Sequence, residues 1–446
     1  MKGEGKDALP SRFGRYTLVE RLATGGMAEV FKAKILSTHG FEKLLVIKRI
    51  LPHLAKDKTF VSMFIDEAKL TAQLVHPKIV QVTDFGEVEG QYFIALEFVD
   101  GFDALALLRT SAQRGVRMPL PISMFITMEV LDALDYAHNA RDRDGKPMRL
   151  VHRDISPSNV FISRRGDVKL GDFGIAHAQE RESKTQAGTL KGKYGYMSPE
   201  QVVGGNLDSR SDIFAVGIVL AEMLMGRRLF TAPTDLDVLL MVRDGRLERL
   251  DKYCKDIPAE LDRIVRKSLK KRLADRFQSA AEFRDDLADL LFRHKLRVGP
   301  HDVGNIAADY FDASPEALVR LKEQGRRWEM KDTERPTHAS TPGVPAPTGA
   351  RTVALAADVP TGEVDMKARA AASSDEAPRV TTPDIVSGIE DPLDVVIDDD
   401  IQDAAAKGAR QPAAAPRPSA ADQAAVAQLQ QVLAQPLAIV NLDQYE

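Results

Sequence analysis

Acidic and amide side chains recur near the middle of this 446-residue sequence, at a spacing that favours one kind of chemistry. Asp154 lies in the segment His-Arg-Asp-Ile-Ser-Pro-Ser-Asn, and Asn159 comes five residues later. Asp172 follows thirteen residues after Asn159, in the sequence Asp-Phe-Gly. An aspartate can accept the proton of an attacking hydroxyl, while an asparagine and a second aspartate can hold the Mg²⁺ ions that neutralise phosphates. The spacing therefore predicts phosphoryl transfer.

Two further charged residues predict a buried ion pair. On a helix predicted over residues 60–75, Glu67 lies at the centre of an apolar face. That face is formed by Phe60, Met63, Phe64, Leu70 and Leu74. Because an unpaired buried charge is costly, Glu67 needs a cationic partner, and Lys48 is available in an apolar strand predicted over 44–50. We therefore predict a Lys48–Glu67 pair, with an ordinary structural ion pair as the alternative to a functional one.

A glycine-containing segment lies between two predicted strands and before Lys48. Its nine residues are candidate nucleotide-binding groups: Leu22, Ala23, Thr24, Gly25, Gly26, Met27, Ala28, Glu29 and Val30. A glycine-rich hairpin lets backbone N–H groups approach phosphates. Of the three glycines in a GxGxxG pattern only Gly25 is present, with Ala23 and Ala28 at the other two places. A plain hairpin turn is therefore the alternative, and the position before Lys48 favours phosphate binding.

The periodicity of apolar residues predicts the elements that position these groups. Short strands are predicted at 16–22, 30–35, 44–50, 79–87 and 92–98. After Gly101, helices are predicted at 104–114, 122–140, 210–225, 236–243, 260–267 and 280–292. The sequence therefore predicts an α+β fold with two lobes. The small lobe, 16–98, is a mostly antiparallel sheet with one key helix, and the larger lobe, 101–293, is mostly α-helical.

The composition changes towards the carboxyl end of the chain. A helical extension is predicted over 294–330, with helices at 303–311 and 315–328. From residue 331 onwards Ala, Pro, Thr and Asp dominate, and such a segment cannot bury enough apolar area to offset its ordering entropy. We therefore predict a disordered tail over 331–446, with a short amphipathic helix at 421–433.

Charge and cysteine content exclude several classes of protein. The 61 basic and 65 acidic residues give a net charge of −4, which does not favour a nucleic-acid or membrane-surface binder. The single cysteine, Cys254, excludes an intramolecular disulfide and a zinc site built from several thiolates. The best apolar run, 213–225, is interrupted by Glu222 and is typical of a buried helix. These features predict a soluble cytoplasmic protein.

Together these motifs resemble the protein-kinase superfamily, and more closely the eukaryotic-like Ser/Thr kinases of bacteria, over about residues 16–292. The resemblance implies ATP and Mg²⁺ as cofactors and protein hydroxyls as substrates. On this basis Lys48 grips the α and β phosphates and Glu67 orients Lys48. Asp154 is then the catalytic base, and Asn159 and Asp172 are the Mg²⁺ ligands.

The resemblance also implies roles for other residues in the same region. Glu97 and Val99 would offer backbone groups to adenine, with Leu96 as the gatekeeper. Scaffold roles, at the end of the activation segment, in the anchoring helix and as a buried ion pair, fall to Ser198, Pro199, Glu200, Asp212, Gly217 and Arg276. Each of these matches alone could be chance, so their order and distance carry the argument.

Two residues depart from the family pattern. Most Ser/Thr kinases have a lysine two residues after the catalytic aspartate, where it steadies the γ-phosphate, and a threonine before the Pro-Glu that bonds to both. This sequence has Ser156 and Lys193 at those places. Our hypothesis is that Lys193 supplies the cation that Ser156 lacks. The alternative is a solvated Lys193 in a site that works slowly or not at all.

Phosphorylation of the chain itself is a further prediction. Arg153 precedes the catalytic aspartate, where an arginine usually pairs with a phosphate on the activation segment. The candidate acceptors are Ser183, Thr185 and Thr189. In the tail, a partner that recognises phosphothreonine could bind near Thr352, Thr361, Thr381 or Thr382, unless these are incidental residues of a linker.

The leading interpretation is an active Ser/Thr protein kinase. A pseudokinase that binds ATP as a signalling scaffold is the main alternative, favoured by Ser156 and Ala23 and opposed by the retained Asp154, Asn159 and Asp172. A small-molecule kinase of related fold is disfavoured by the long activation segment, which would form a platform for a peptide. Tyrosine specificity is a weaker alternative, because Ser156 removes a Ser/Thr marker.

Overall fold

The structure, a computed structural model, describes residues 9–36, 42–173 and 193–327. The predicted tail with its helix at 421–433 lies outside the described residues, as do Ser183, Thr185 and Thr189. Among the described residues no helix is both long and apolar enough to cross a membrane.

The amino-terminal lobe is built on one antiparallel sheet of six strands, in the order β1-β2-β3-β4-β6-β5. The strands are β1 (Ser11–Phe13), β2 (Tyr16–Thr24), β3 (Ala28–Leu36), β4 (Glu42–Ile50), β5 (Val82–Val88) and β6 (Gln91–Glu97). Side chains alternate between the two faces of a strand. Phe31 and Ile47 therefore join one small core, while Ala28 and Ile50 join a second core beneath the helix of this lobe. The predicted antiparallel small lobe is confirmed.

The helix of this lobe, α1 (Lys58–Thr71), begins at Asp57, whose carboxylate accepts a hydrogen bond from the Thr59 N–H at 2.9 Å. It ends at Thr71, four residues before the end predicted from periodicity. The chain leaves the helix here and buries Leu74 in the core of the larger lobe. The apolar Leu74 therefore continues the pattern of the helix without belonging to it.

The larger lobe is mainly helical, as predicted. Its helices are α2 (Ala104–Arg114), α3 (Leu120–His138), α4 (Pro199–Val202), α5 (Ser209–Met225), α6 (Asp235–Asp244), α7 (Glu248–Tyr253), α8 (Ala259–Ser268) and α9 (Ala280–Arg293). In α5 every residue from Ser211 to Met225 is buried, because α5 lies at the centre of the lobe and packs against α3 and α8. At Gly217 a Cβ atom would lie 2.2 Å from Ser268 Oγ, so a glycine is needed where α5 and α8 meet.

A second, three-stranded sheet carries the segments of chemical interest, and the periodicity did not predict it. Its strands are β7 (Gly101–Asp103), β8 (Val160–Ser163) and β9 (Val168–Leu170), in the order β7-β8-β9. Strand β8 starts directly after Asn159, and β9 ends two residues before Asp172. The β8–β9 hairpin therefore sets the distance between these two side chains.

Two further helices, α10 (Pro300–Phe311) and α11 (Pro315–Arg327), lie where the sequence predicts a helical extension. The Tyr310 hydroxyl donates to the Val116 carbonyl at 3.1 Å, and the rings of Phe102 and Phe311 are 4.7 Å apart. In the β8–β9 turn Gly166 has φ +88°, and a Cβ there would lie 1.7 Å from the Pro300 carbonyl oxygen. The extension therefore packs closely on the larger lobe.

Candidate active site

Lys48 connects the two lobes through a pair of carboxylates. Its Nζ lies 2.8 Å from Glu67 Oε1 on α1 and 2.9 Å from Asp172 Oδ1 after β9. The first contact is the one that the sequence predicts. The side chains of Lys48 and Glu67 are 18% and 10% exposed, whereas that of Asp172 is 42% exposed and faces the cleft.

The charges of this trio are mutually dependent. Burial alone would lower the pKa of Lys48, but the charges of Asp172 and Glu67 outweigh it and raise that pKa above its ordinary value. The charge of Lys48 in turn lowers the pKa of Asp172 and outweighs the opposing effect of desolvation on this partly exposed carboxyl group. Both groups are therefore ionised at neutral pH, and a cation is fixed where phosphates would need one.

Asp154 is held by two neighbours. The Asn159 side-chain amide donates to the Asp154 carbonyl at 2.6 Å and to Asp154 Oδ2 at 3.0 Å. Lys193 Nζ lies 2.8 Å from the same Oδ2. Ser156, by contrast, is buried, and its hydroxyl pairs with that of Ser158 at 2.9 Å. The structure thus brings Asp154, Asn159 and Lys193 together and leaves Ser156 inside the loop.

The loop that carries Asp154 is hydrogen-bonded to the start of α5. The buried carboxylate of Asp212 accepts hydrogen bonds from the backbone N–H groups of His152, at 2.8 Å, and Arg153, at 2.9 Å. His138 Nε2, at the end of α3, lies 2.8 Å from the same carboxylate. These bonds hold Arg153 at φ +68°, an unusual conformation for this residue type. The resulting backbone path places the Asp154 carboxylate beside Asn159 and Lys193.

His152 joins this loop to the segment of Asp172. Its Nε2 lies 3.0 Å from the Gly171 carbonyl oxygen, and its ring is 4.5 Å from that of Phe173. Burial lowers the pKa of His152, so the ring is neutral at pH 7. The position of Asp172 is therefore coupled to that of Asp154 through packed, uncharged groups.

The segment 22–30 forms the hairpin between β2 and β3. Its turn is closed by a hydrogen bond from the Gly25 N–H to the Ala28 carbonyl at 2.9 Å, and Ala23, Thr24 and Gly25 are exposed. The Glu29 carboxylate is bound by Arg49 at 2.8 Å. Only the backbone of Glu29 could therefore serve a nucleotide.

At the end of β6 and just after it, some backbone groups are already hydrogen-bonded and others are left to bind adenine. The Glu97 N–H donates to the Gln81 carbonyl at 2.9 Å, and the Glu97 carboxylate accepts from Lys169 Nζ at 2.7 Å. The Glu97 carbonyl is thus the group left for adenine. Within the ranges that the structure describes, the Val99 N–H makes no hydrogen bond. Leu96 lines a small cavity with Lys48, Glu67, Thr71, Asp172 and Phe173, among others.

Comparison with known proteins identifies the family. The model of the protein kinase domain matches residues 16–286. The chain belongs to the protein kinase family. It is 42% identical over 299 residues to the tyrosine-protein kinase MasK of Myxococcus xanthus, covering 67% of this chain and 46% of MasK. It is 35% identical over 284 residues to the serine/threonine-protein kinase PknB of Mycobacterium leprae, covering 62% of this chain and 43% of PknB.

The chain therefore spans less than half the length of these two curated relatives. Among solved structures, the PknI kinase domain of Mycobacterium tuberculosis is 29% identical and covers 63% of this chain and 98% of that domain, with a TM-score of 0.46.

The kinase scaffold residues named from the sequence form a buried network. Both Arg276 Nη atoms lie 2.7 Å from the Glu200 carboxylate, and the Ser211 hydroxyl donates to it at 2.7 Å. The Gln201 side-chain amide donates to the Arg153 carbonyl at 2.9 Å. No sequence pattern predicted this contact. The end of the activation segment is thus tied to the catalytic loop.

Hydrogen bonds explain why a charged residue, Glu222, interrupts the apolar run of the central helix α5. Its carboxylate accepts from the Tyr196 hydroxyl at 2.6 Å and from the Leu229 N–H at 3.0 Å. The position of this charge was evident from the sequence, but its partners were not, because they lie outside the helix. Arg153 is exposed and forms no ion pair within the described ranges, so its predicted phosphate partner stays a prediction.

Proposed function

We propose that the chain is an ATP- and Mg²⁺-dependent serine/threonine protein kinase, which transfers the γ-phosphoryl group to protein hydroxyls. One observation carries the proposal: Lys48 contacts Glu67 and Asp172 at 2.8 and 2.9 Å at once. This arrangement joins the sheet, α1 and the Asp-Phe-Gly segment in the geometry that phosphoryl transfer requires. A pseudokinase would have no need to retain Asp154 and Asn159 beside it.

The donor set fits Mg²⁺. The Asn159 amide nitrogen is used by Asp154, which leaves its oxygen as a ligand, and Asp172 has one carboxylate oxygen beyond the one that contacts Lys48. No group of three or more His, Cys, Asp or Glu in the described part of the chain could hold a metal alone. This suits Mg²⁺, which usually takes one or two protein oxygens together with phosphates and waters.

Each side chain then has a defined task. When bound, Mg²⁺ neutralises charge on the phosphates. Lys48 holds the α and β phosphates, and Glu67 keeps its ammonium in place. The backbone of segment 22–30 covers the phosphates, while the Glu97 carbonyl and the Val99 N–H bind adenine. Asp154, fixed by Asn159, accepts the proton of the substrate hydroxyl as that oxygen attacks phosphorus.

We further propose that Lys193 replaces the usual lysine of the catalytic loop. Its ammonium lies 2.8 Å from Asp154 Oδ2, beside the carboxylate that would accept the proton of the attacking hydroxyl. Ser156 is buried and bound to Ser158, so its position offers no cation. The cation would then come from the end of the activation segment rather than from the loop.

The type of hydroxyl is a separate question. Relatives that are 32–35% identical, such as PknB and PknD, are named serine/threonine kinases and support that specificity. MasK, at 42% identity, is named a tyrosine kinase, and Ser156 occupies the place of the Ser/Thr-type lysine. Tyrosine specificity is therefore the second candidate.

Autophosphorylation of the activation segment is part of the proposal. The candidate acceptors are Thr185, Thr189 and Ser183. The exposed Arg153 would form an ion pair with the phosphorylated residue. A protein that recognises phosphothreonine would then be a partner of the tail, through Thr352, Thr361, Thr381 or Thr382. Mass spectrometry after incubation with ATP and Mg²⁺ would identify the sites.

The test is a phosphoryl-transfer assay on the full chain with labelled ATP and Mg²⁺. We expect incorporation by the wild type and a loss of about 10²-fold or more for Asp154→Asn, since the base is removed. Asp144→Asn, at an exposed carboxylate, is the matched control. Hydrolysis and phosphoamino-acid analysis separate phosphoserine and phosphothreonine from phosphotyrosine. A wild type that binds ATP without transfer would contradict the proposal and favour a scaffold.

A further inference from the structure

One side of α1 faces away from the active site and carries lysines beside apolar residues. Residues recur there at intervals of three and four, as one helix face requires: Lys58, Val61, Ser62, Ile65, Asp66 and Lys69. We call this the outer face of α1. The opposite side of the helix buries Met63, Phe64 and Glu67. Whatever binds the outer face therefore acts on the helix that positions Glu67.

The outer face of α1 forms one wall of a groove of about 370 Å³. Ala55, Lys56 and Tyr92 complete its lining. Val61 and Ile65 are only half-buried, so the groove has an apolar floor that lacks a cover. A groove of this size can take several side chains of an extended segment.

The rim of the groove is positively charged. Lys56, Lys58 and Lys69 oppose a single carboxylate, Asp66, and none of the three lysines forms an ion pair in the ranges that the structure describes. The first turn of α1 has no acidic residue, and the carboxylate of the cap residue Asp57, between Lys56 and Lys58, is engaged by the Thr59 N–H. The groove is therefore suited to an acidic segment with apolar side chains.

The same chain contains such a segment. Between residues 380 and 406 there are eight carboxylates and no Lys or Arg. At its centre an apolar run is flanked by acids, in the order Asp394, Val395, Val396, Ile397, Asp398, Asp399 and Asp400. About 65 residues separate this run from the end of α11, and their extended length of up to about 200 Å exceeds the width of the domain several-fold.

We propose that the acidic segment 390–403 docks in the groove on the outer face of α1 of its own chain. Val395, Val396 and Ile397 would cover Val61 and Ile65, and the flanking aspartates would pair with Lys56, Lys58 and Lys69. The effect on catalysis rests on the proposed kinase function, whereas the contact itself does not.

Docking at this place favours the active arrangement. The groove is lined by α1 and by Tyr92 of β6, so its shape depends on where α1 lies against the sheet. A segment that binds it while Glu67 lies 2.8 Å from Lys48 stabilises that arrangement. ATP binding requires the same state, because Lys48 must hold the phosphates. By linkage, docking and ATP binding strengthen each other.

The test is zero-length carbodiimide cross-linking of the full chain, which joins lysines to carboxylates in contact. We expect cross-links from Lys56, Lys58 and Lys69 to residues 390–403, and their loss at high salt. Lys56→Glu, Lys58→Glu and Lys69→Glu together should lower the yield more than tenfold. Adding Asp398→Lys, Asp399→Lys and Asp400→Lys should restore it, because the charges are then exchanged.

The control replaces three exposed lysines elsewhere, with Lys43→Glu, Lys270→Glu and Lys322→Glu, and should leave the cross-links unchanged. The triple variant in which Lys56, Lys58 and Lys69 are replaced by Glu should also bind ATP about five- to tenfold more weakly, as a coupled site predicts.

Cross-links to other lysines, or none, would overturn the proposal. So would cross-links found only between two isotopically distinct chains, which would indicate a second copy as the occupant. A chain that cross-links as expected but transfers no phosphate would contradict the kinase function instead.

Discussion

At the scale of single residues, Ser156 and Lys193 are the two departures from the usual kinase pattern near Asp154. Ser156 is 3% exposed and its hydroxyl is bound to Ser158, so this position packs the loop. Lys193 is 38% exposed and contacts Asp154 from the far end of the activation segment. If Lys193 has the role proposed above, catalysis depends on how that segment is placed. In the usual arrangement the loop holds its own lysine.

This difference predicts the effect of Lys193→Ala. We expect kcat to fall about 10²- to 10³-fold with little change in the KM for ATP, because a preorganised charge acts chiefly in the transition state. Ser156→Lys with Lys193→Thr should recover most of the loss, and Lys146→Ala, at an exposed lysine, serves as the control. The measurement is steady-state phosphoryl transfer. An unchanged kcat for Lys193→Ala would show that Lys193 is only solvated.

Individual residues also show what the sequence could and could not predict. The Lys48–Glu67 contact follows from the cost of a buried charge, since one helix face and one strand sufficed to find both partners. The contacts of Lys48 with Asp172 and of Glu97 with Lys169 join residues that are far apart in the chain. No local periodicity contains such a contact, so only the fold reveals it.

At the scale of elements, α5 holds the catalytic loop and the end of the activation segment at once. Asp212, in its first turn, holds two backbone N–H groups of the loop, and Ser211 binds Glu200. Arg276 completes the arrangement with bonds to Glu200 and to three backbone carbonyls. The loop of Asp154 and the segment of Glu200 are therefore held by hydrogen bonds to a helix that is buried almost throughout.

We predict that Arg276→Met lowers the free energy of unfolding by about 3–5 kcal/mol, because it leaves Glu200 buried without its cation. Arg284→Met is the matched control. Arg284 pairs with Asp132 at 2.6 Å, but its side chain is 30% exposed, so we expect a loss of about 0–1 kcal/mol. Urea denaturation of the full chain measures both. Equal losses in the two variants would refute the role assigned to the buried pair.

Element boundaries show the limits of periodicity. Long helices such as α2, α5 and α9 are placed to within one residue, because each repeats its apolar pattern over several turns. The strands β7 and β9 have three residues each, too few for any period to show. The prediction therefore contained the residues of the site but lacked the small sheet that sets the distance from Asn159 to Asp172.

At the scale of the whole molecule, the stability of the fold depends on pH through buried groups of the larger lobe. Burial lowers the pKa of His152, which is neutral between Gly171 and Phe173. Burial would raise the pKa of Asp212, but the hydrogen bond and charge of His138 outweigh it and lower that pKa. Both groups thus favour the deprotonated form in the folded state. Their contributions to stability have the same sign.

The sign of these shifts predicts acid lability. A group whose pKa is lower in the folded than in the unfolded state contributes fully above its unfolded pKa and loses that contribution as the pH falls. For His152 the loss begins near pH 6.5 and for Asp212 near pH 4, with a slope of up to about 1.4 kcal/mol per pH unit for each proton.

His152→Asn should flatten the decline in the free energy of unfolding between pH 7 and 5 but not abolish it, because burial also lowers the pKa of His76. Urea denaturation of the full chain across this range, with His301→Asn at an exposed histidine as the control, measures the effect. Parallel curves for wild type and His152→Asn would mean that His152 does not titrate on unfolding, and the coupling between the two loops would then need another origin.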